Sequence, residues 1–166
     1  MGQVILGVGD FGASNSPGDD VKTFALGSCV SVILLDPKTR TVGMAHVALP
    51  DSKINPAKAA EKPGYFADTA IPALLALMTK YGCDKRGKGM IVKLCGGANV
   101  MDSNDTFQIG KRNALAIKKI LWANGMGAVA EDLGGNFSRR SSLPRRRAGP
   151  RPPRARRLAR NPRWPR

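Results

Sequence analysis

Through the first half of the chain the apolar residues fall in short runs broken by Gly, Pro and Asp, a spacing that predicts strands. Residues 3–8 form one such run, and residues 14–20 are a breaker-rich loop. Residues 23–26 and 30–35 are apolar and β-rich, interrupted at Gly27-Ser28. Asp36-Pro37 opens a turn, and residues 41–49 return as a strand ended by Pro50. Residues 51–64 read as a polar loop carrying Pro56 and Pro63.

The period then changes. Ile71, Leu74, Leu75 and Met78 recur at steps of three and four, which predicts a helix over 67–81. Pro72 falls near its first turn and Gly82 is placed to end it. Residues 90–95 are a strand closing on Gly96-Gly97. Residues 111–124 are a second helix, with Leu115, Ile117, Ile120 and Leu121 supplying apolar area and Gly125 ending it. A short strand over 128–130 precedes a Gly134-Gly135 turn. Strands alternating with helices, without an internal repeat, predict an α/β fold.

Composition changes the picture mainly at the C-terminus. The chain has 166 residues and a net charge of +15. From 139 to 166 there are 12 Arg and 6 Pro, with no Lys and no acid. Residues 1–138 carry 15 basic against 12 acidic residues and are nearly neutral. The expected organisation is a folded domain over 1–138 followed by a disordered Arg/Pro-rich tail over 139–166, which has no periodicity from which to build a core. Three origins fit that tail: a reading-frame shift in a GC-rich gene, a basic arm for nucleic acid or an anionic membrane, or a neutral extension. The abrupt switch from Lys to Arg favours the first.

Other classes are disfavoured. No apolar run approaches the roughly 20 residues of a membrane span, and residues 1–8 lack the basic start of a signal peptide, so a cytoplasmic protein without membrane insertion is expected. Cys29, Cys83 and Cys95 are too few and too irregular for a disulfide framework, and a single His makes a zinc site improbable. Gly7-Val8-Gly9-Asp10-Phe11-Gly12 matches a dinucleotide fingerprint, but Pro17 and Gly18 deny it the helix such a site needs.

The chemistry concentrates at Cys29, in Leu26-Gly27-Ser28-Cys29-Val30. Gly27 permits a tight turn that exposes the thiol, and the amides of Ser28 and Cys29 could hold an oxyanion. A thiol of ordinary pKa, about 8.5, needs a base or a cationic neighbour. The only imidazole is that of His46. If Leu35 pairs with Val42 across the 36–41 turn, Cys29 faces Ala48 and His46 lies two residues away on the same surface, at about 7–8 Å; a register shifted by two would set His46 directly opposite Cys29. Cys83 reads as an incidental loop residue and Cys95 as packed. Thr23, on strand geometry alone, is a β-branched filler.

The segments Thr23–Val30 (TFALGSCV), Gly43–Ser52 (GMAHVALPDS), Pro63–Ala70 (PGYFADTA), Gly96–Asn99 (GGAN), Ile109–Asn113 (IGKRN) and Glu131–Asn136 (EDLGGN) together resemble the chemoreceptor glutamine deamidase family, CheD. The resemblance implies a Cys–His–Thr site falling on Cys29, His46 and Thr23, supported by Gly27 and Ser28. It implies a layered α/β sandwich with mixed and antiparallel sheets, similar to the catalytic domain of cytotoxic necrotizing factor toxins. The implied reaction is that of a cysteine-dependent protein-glutamine glutaminase: glutamine side chains of methyl-accepting chemotaxis receptors become glutamate and ammonia is released. No metal or organic cofactor is called for. The implied partners are the receptors, which would recruit the enzyme to the membrane, and the phosphatase CheC. Two rival readings are a basic-tailed nucleic-acid-binding module and a non-catalytic regulator that binds CheC.

Overall fold

A computed structural model describes residues 2–100 and 107–144. Among the described residues eight strands and three α-helices follow in order: β1 (Gln3–Leu6), β2 (Phe11–Ser14), β3 (Asp20–Leu26), β4 (Val30–Asp36), β5 (Thr41–Val47), α1 (Pro56–Glu61), α2 (Ala67–Thr79), β6 (Ile91–Gly96), α3 (Ile109–Ala123), β7 (Ala128–Leu133) and β8 (Arg139–Pro144). They build two mixed sheets. The larger runs β2-β5-β4-β6-β7 and the smaller β1-β3-β8.

Side-chain alternation along β4 and β5 explains the layering. Val30, Val32 and Leu34 with Ala45 and Val47 face α2 and α3, meeting Ile71, Leu74, Met78, Ile117 and Leu121 in the main core. The opposite parity, Ile33, Val42 and Met44, faces the small sheet and packs on Leu6 and Val21. The order is therefore small sheet, large sheet, helices, the α/β layering expected. Among the described residues no helix is long and apolar enough to cross a membrane.

Of the two β4–β5 registers the sequence allows, the structure takes the one in which Leu35 pairs with Val42, and the ladder runs on to Val30 opposite Val47. Four expectations change. Residues 11–14, which no apolar alternation marks as a strand, form β2 along β5, so the Gly7–Gly12 motif leads into a strand. The 51–64 loop contains α1, with Pro56 in its first turn and the Asn55 side chain accepting from the Lys58 N–H at 3.0 Å. Pro72 lies in the second turn of α2, on its exposed side.

The fourth change concerns the boundary at Ser138. The chain continues as β8, antiparallel to β3, pairing Ser141 with Thr23 and Leu143 with Val21. Arg139 is held there by more than its backbone. Its guanidinium donates to the Gly134 carbonyl at 2.6 Å, pairs with Asp132 at 3.1 Å and lies over the Phe137 ring. The ordered domain thus extends at least to Pro144, because Ser141 and Leu143 alternate inward even though arginine dominates the composition around them. The rest of the Arg/Pro-rich stretch lies outside the described residues.

Candidate active site

Cys29 stands in the short connection between β3 and β4. Before it, Phe24 and Ala25 are both exposed while Thr23 and Leu26 are buried, and the β3–β8 ladder shifts register between Thr23 and Leu26. The Gly27 N–H closes a three-residue turn on the Ala25 carbonyl at 3.0 Å. The left-handed residue here is Ala25, with φ 56°, rather than Gly27. The bulge must be absorbed before Leu26 re-enters the core, and Ala25 carries that strain.

The turn after β6 clamps the connection from the other side. Gly97 N–H donates to the Cys29 carbonyl and Ala98 N–H to the Gly27 carbonyl, both at 2.8 Å. The half-buried Cys29 therefore has a fixed backbone on both flanks. With Gly27 and Ser28 it lines a cavity of about 790 Å³, which Ala98, Val100 and Phe107 also line. The first turn of α3 borders the same cavity through Ile109, Gly110 and Lys111. The N-cap residue Gln108 makes no side-chain cap, and the partial positive charge of that helix end lies beside the cavity.

His46 lies on β5, opposite Ser31 and one residue inside the Val30–Val47 pair that ends the ladder. Cys29 lies one residue outside that pair. The imidazole is 1% exposed and turns toward the small sheet, where its Nδ1 is 2.7 Å from Thr23 Oγ1. Thr23 is fully buried and its hydroxyl donates to the Leu6 carbonyl at 2.7 Å. A hydroxyl has one proton. With that proton on Leu6, Thr23 can only accept from His46, so Nδ1 carries the ring proton. Nε2 is then left as the basic lone pair, and in its buried position it has no hydrogen-bond partner among the described residues.

The backbone of His46 is fixed by the segment that resembled a dinucleotide fingerprint. Gly9 N–H donates to the His46 carbonyl at 2.8 Å and His46 N–H to the Asp10 carbonyl at 2.9 Å. Gly9 adopts φ 79°, and a Cβ there would meet the Tyr65 ring at 2.7 Å, so glycine is required for a reason unrelated to phosphate binding.

Burial pushes the Cys29 thiol above its ordinary pKa, although its own backbone N–H opposes this. Burial likewise pushes the His46 imidazole below its usual value, against the nearby Asp10 carboxylate and with the help of the Lys62 ammonium. Both directions favour a neutral thiol and a neutral imidazole in the resting protein.

The structure thus brings Thr23 into contact with His46 and places Gly27, Ser28 and Cys29 together on the cavity wall. Cys83 is buried against Thr39 Oγ1, 3.2 Å from its sulfur, and so belongs to the core. Cys95 is half-buried, and burial and then the Asp132 carboxylate push its thiol up. Two residues at the site carried no role in the sequence reading. Ser31 faces His46 across the ladder with a buried hydroxyl oxygen that has no partner among the described residues. Asn113, on α3, donates to the Ser28 and Ala48 carbonyls at 3.0 and 2.9 Å. A sequence signal for Asn113 existed: it occupies the 113–117–121 stripe of α3 that is otherwise Ile and Leu.

Known proteins share this sequence closely. Residues 48–145 match the family model described as CheD chemotactic sensory transduction. A Syntrophotalea carbinolica protein named "Probable chemoreceptor glutamine deamidase CheD" is 57% identical over 143 residues, covering 86% of this chain and 88% of its own. A Syntrophus aciditrophicus protein named "Probable chemoreceptor glutamine deamidase CheD 1" is 43% identical over 139 residues, covering 84% and 86%. Among solved structures, the Bacillus licheniformis hypothetical protein YfiH aligns with a TM-score of 0.45 at 11% identity, covering 74% of this chain and 49% of that one. On the family match and these identities, the chain belongs to the CheD family.

Proposed function

We propose that this protein deamidates glutamine side chains of chemoreceptors, with Cys29 as nucleophile, His46 as base and Thr23 as the group that orients the imidazole. The observation that carries this reading is the direction of the Thr23 hydroxyl. Because its proton is donated to Leu6, it forces the Nδ1–H form of His46 and leaves Nε2 free to accept a proton.

In the proposed reaction the Cys29 thiol gives its proton to His46 Nε2 as the sulfur attacks the glutamine side-chain carbonyl. A carbon–sulfur bond forms and the carbonyl oxygen becomes an oxyanion. The backbone amides of Ser28 and Cys29 stabilise that oxyanion, and the positive end of α3 adds to the field. The imidazolium then protonates the departing nitrogen, the carbon–nitrogen bond breaks and ammonia leaves. Water gives a proton to neutral His46 and attacks the thioester, releasing glutamate and returning the proton to sulfur. The resting pair is neutral, so proton transfer accompanies attack.

The half-open setting of Cys29 suits a side chain presented by a large protein. The receptor is the substrate, and its cytoplasmic portion brings the enzyme to the membrane. CheC is proposed to occupy the same face. The test is incubation with a receptor cytoplasmic fragment, reading ammonia release and conversion of glutamine to glutamate by peptide mass. Cys29→Ala with wild-type turnover would remove the proposal.

A further inference from the structure

We propose that Asn113 is a positioning residue for this reaction, its side-chain amide acting as the closing rung between the nucleophile connection and the strand of the base. The inference rests on the assignment of Cys29 and His46 above. Its own grounds are the hairpin geometry. The β4–β5 ladder stops at Val30 opposite Val47. The next pair in register would be Cys29 with Ala48, but the chain after Val47 turns away. Ala48 and Leu49 both donate their N–H groups to the Tyr65 carbonyl, at 2.9 and 3.0 Å. The hairpin therefore opens at the point where the thiol and the imidazole must be held relative to one another.

Asn113 spans that opening. One Nδ2 hydrogen goes to the Ser28 carbonyl, one residue before Cys29, and the other to the Ala48 carbonyl, two residues after His46. The residue is 0% exposed and its bond to the Ala48 carbonyl is buried, so that carbonyl has no ready substitute donor in water. The amide orientation is determined: turned over, it would set Oδ1 against two carbonyl oxygens. Only asparagine among residues of this size offers two hydrogens on one planar nitrogen.

The platform carrying the rung is itself close-packed. Gly110 lies backbone to backbone against Gly97, and a Cβ at Gly110 would collide with the Gly97 carbonyl oxygen. Gly97 in turn donates to the Cys29 carbonyl. The first turn of α3 is thus tied to the Cys29 connection by its backbone and by the Asn113 side chain. A displacement of about 1 Å at a reacting pair can cost about 100-fold in rate, so a rung at this point governs turnover more than folding.

The test compares Asn113→Asp, Asn113→Leu and Leu121→Ala. The last removes core volume at the far end of the same helix. Three readouts are taken per folded molecule: kcat and KM for a receptor fragment, the pH profile of Cys29 alkylation by iodoacetamide, and the melting temperature. Asn113→Asp and Asn113→Leu should lose about 100-fold in kcat with KM little changed, and the alkylation profile should shift. Leu121→Ala should melt lower while keeping wild-type kcat and profile.

Wild-type kcat and alkylation in both Asn113 variants would overturn the proposal. So would a loss that only follows the melting temperature, with Leu121→Ala falling on the same line. If neither Asn113 variant folds, Asn113→Ser, which keeps one donor, is measured in their place and should fall below the wild type in kcat; wild-type kcat in it would also overturn the proposal. Cys29→Ala is run in parallel. Full activity there removes the underlying mechanism, whereas an inactive Cys29→Ala beside a fully active Asn113→Asp removes only the rung.

Discussion

Thr23 Oγ1 lies 2.7 Å from His46 Nδ1 and donates its only proton elsewhere, to the Leu6 carbonyl. The pair therefore fixes which ring nitrogen is basic. Thr23→Val keeps the shape of the side chain and deletes the acceptor. Turnover should fall about 10- to 100-fold, the usual cost of losing a group that orients a histidine. Thr23→Ser should retain most of the rate. Steady-state ammonia release measures both.

His46→Ala removes the proposed base. The loss expected is about 100- to 10,000-fold in kcat, the range of general base catalysis. Alkylation of Cys29 at neutral pH should slow in the same variant, because the thiol is already pushed up by burial and loses its proton acceptor. A rate of alkylation equal to wild type would show that the imidazole does not serve this thiol.

The pH profile has a definite sign. Burial lowers the pKa of His46 first, so the imidazole stays neutral at pH values where an ordinary histidine is half protonated. The acid limb of kcat/KM should have its midpoint below about 6.5. The same shift links to stability. The unfolded chain takes up the proton more readily, so this contribution is full above about pH 6.5 and declines as pH falls toward the lower folded value. Rate profiles and urea titrations across about pH 5 to 8, the range in which histidine changes charge, check the two halves separately.

Gly43 on β5 faces α2 at close range, where a Cβ would sit 2.5 Å from Met78 Sδ and 3.0 Å from a Leu74 methyl. Gly43→Ala should destabilise the protein by about 1–3 kcal/mol through overpacking. A denaturant midpoint lowered at constant slope is the expected readout.

Ending the chain at two points separates the contribution of β8 from that of the residues beyond it. A chain ending at Pro144 retains every strand described and should deamidate receptor glutamines at the wild-type rate. A chain ending at Ser138 loses the partner of β3, exposing Val21 and Thr23 along an open sheet edge. It should melt lower and turn over more slowly. Melting curves and kcat for the two truncations decide the matter.

Much of this was legible in the sequence where local chemistry is strong. The Asp36-Pro37 turn fixed the pairing of Leu35 with Val42, which placed Cys29 and His46 on either side of the ladder's end. The two main helices were evident from their apolar stripes. What escaped was decided by packing. Phe11-Gly12-Ala13-Ser14 has little intrinsic strand preference and becomes β2 only because β5 lies beside it. Residues 56–61 looked broken by proline, yet Pro56 stands where a helix tolerates it and Asn55 caps the turn. Arginine masked β8, whose inward residues are Ser141 and Leu143. The hydroxyl of Thr23 was visible as a residue type, but its partner Leu6 is 17 positions away and joins it through a parallel pairing that no local pattern reveals.

The smaller sheet joins the two ends of the described chain around Thr23: β1 supplies Leu6 on one side and β8 supplies Ser141 on the other. During synthesis the thiol, the imidazole and the hydroxyl all emerge long before residues 139–144 exist. A nascent chain therefore holds all three proposed groups while still lacking the strand that finishes their scaffold. On the proposed mechanism, the full rate follows only once residues 139–144 have paired with β3.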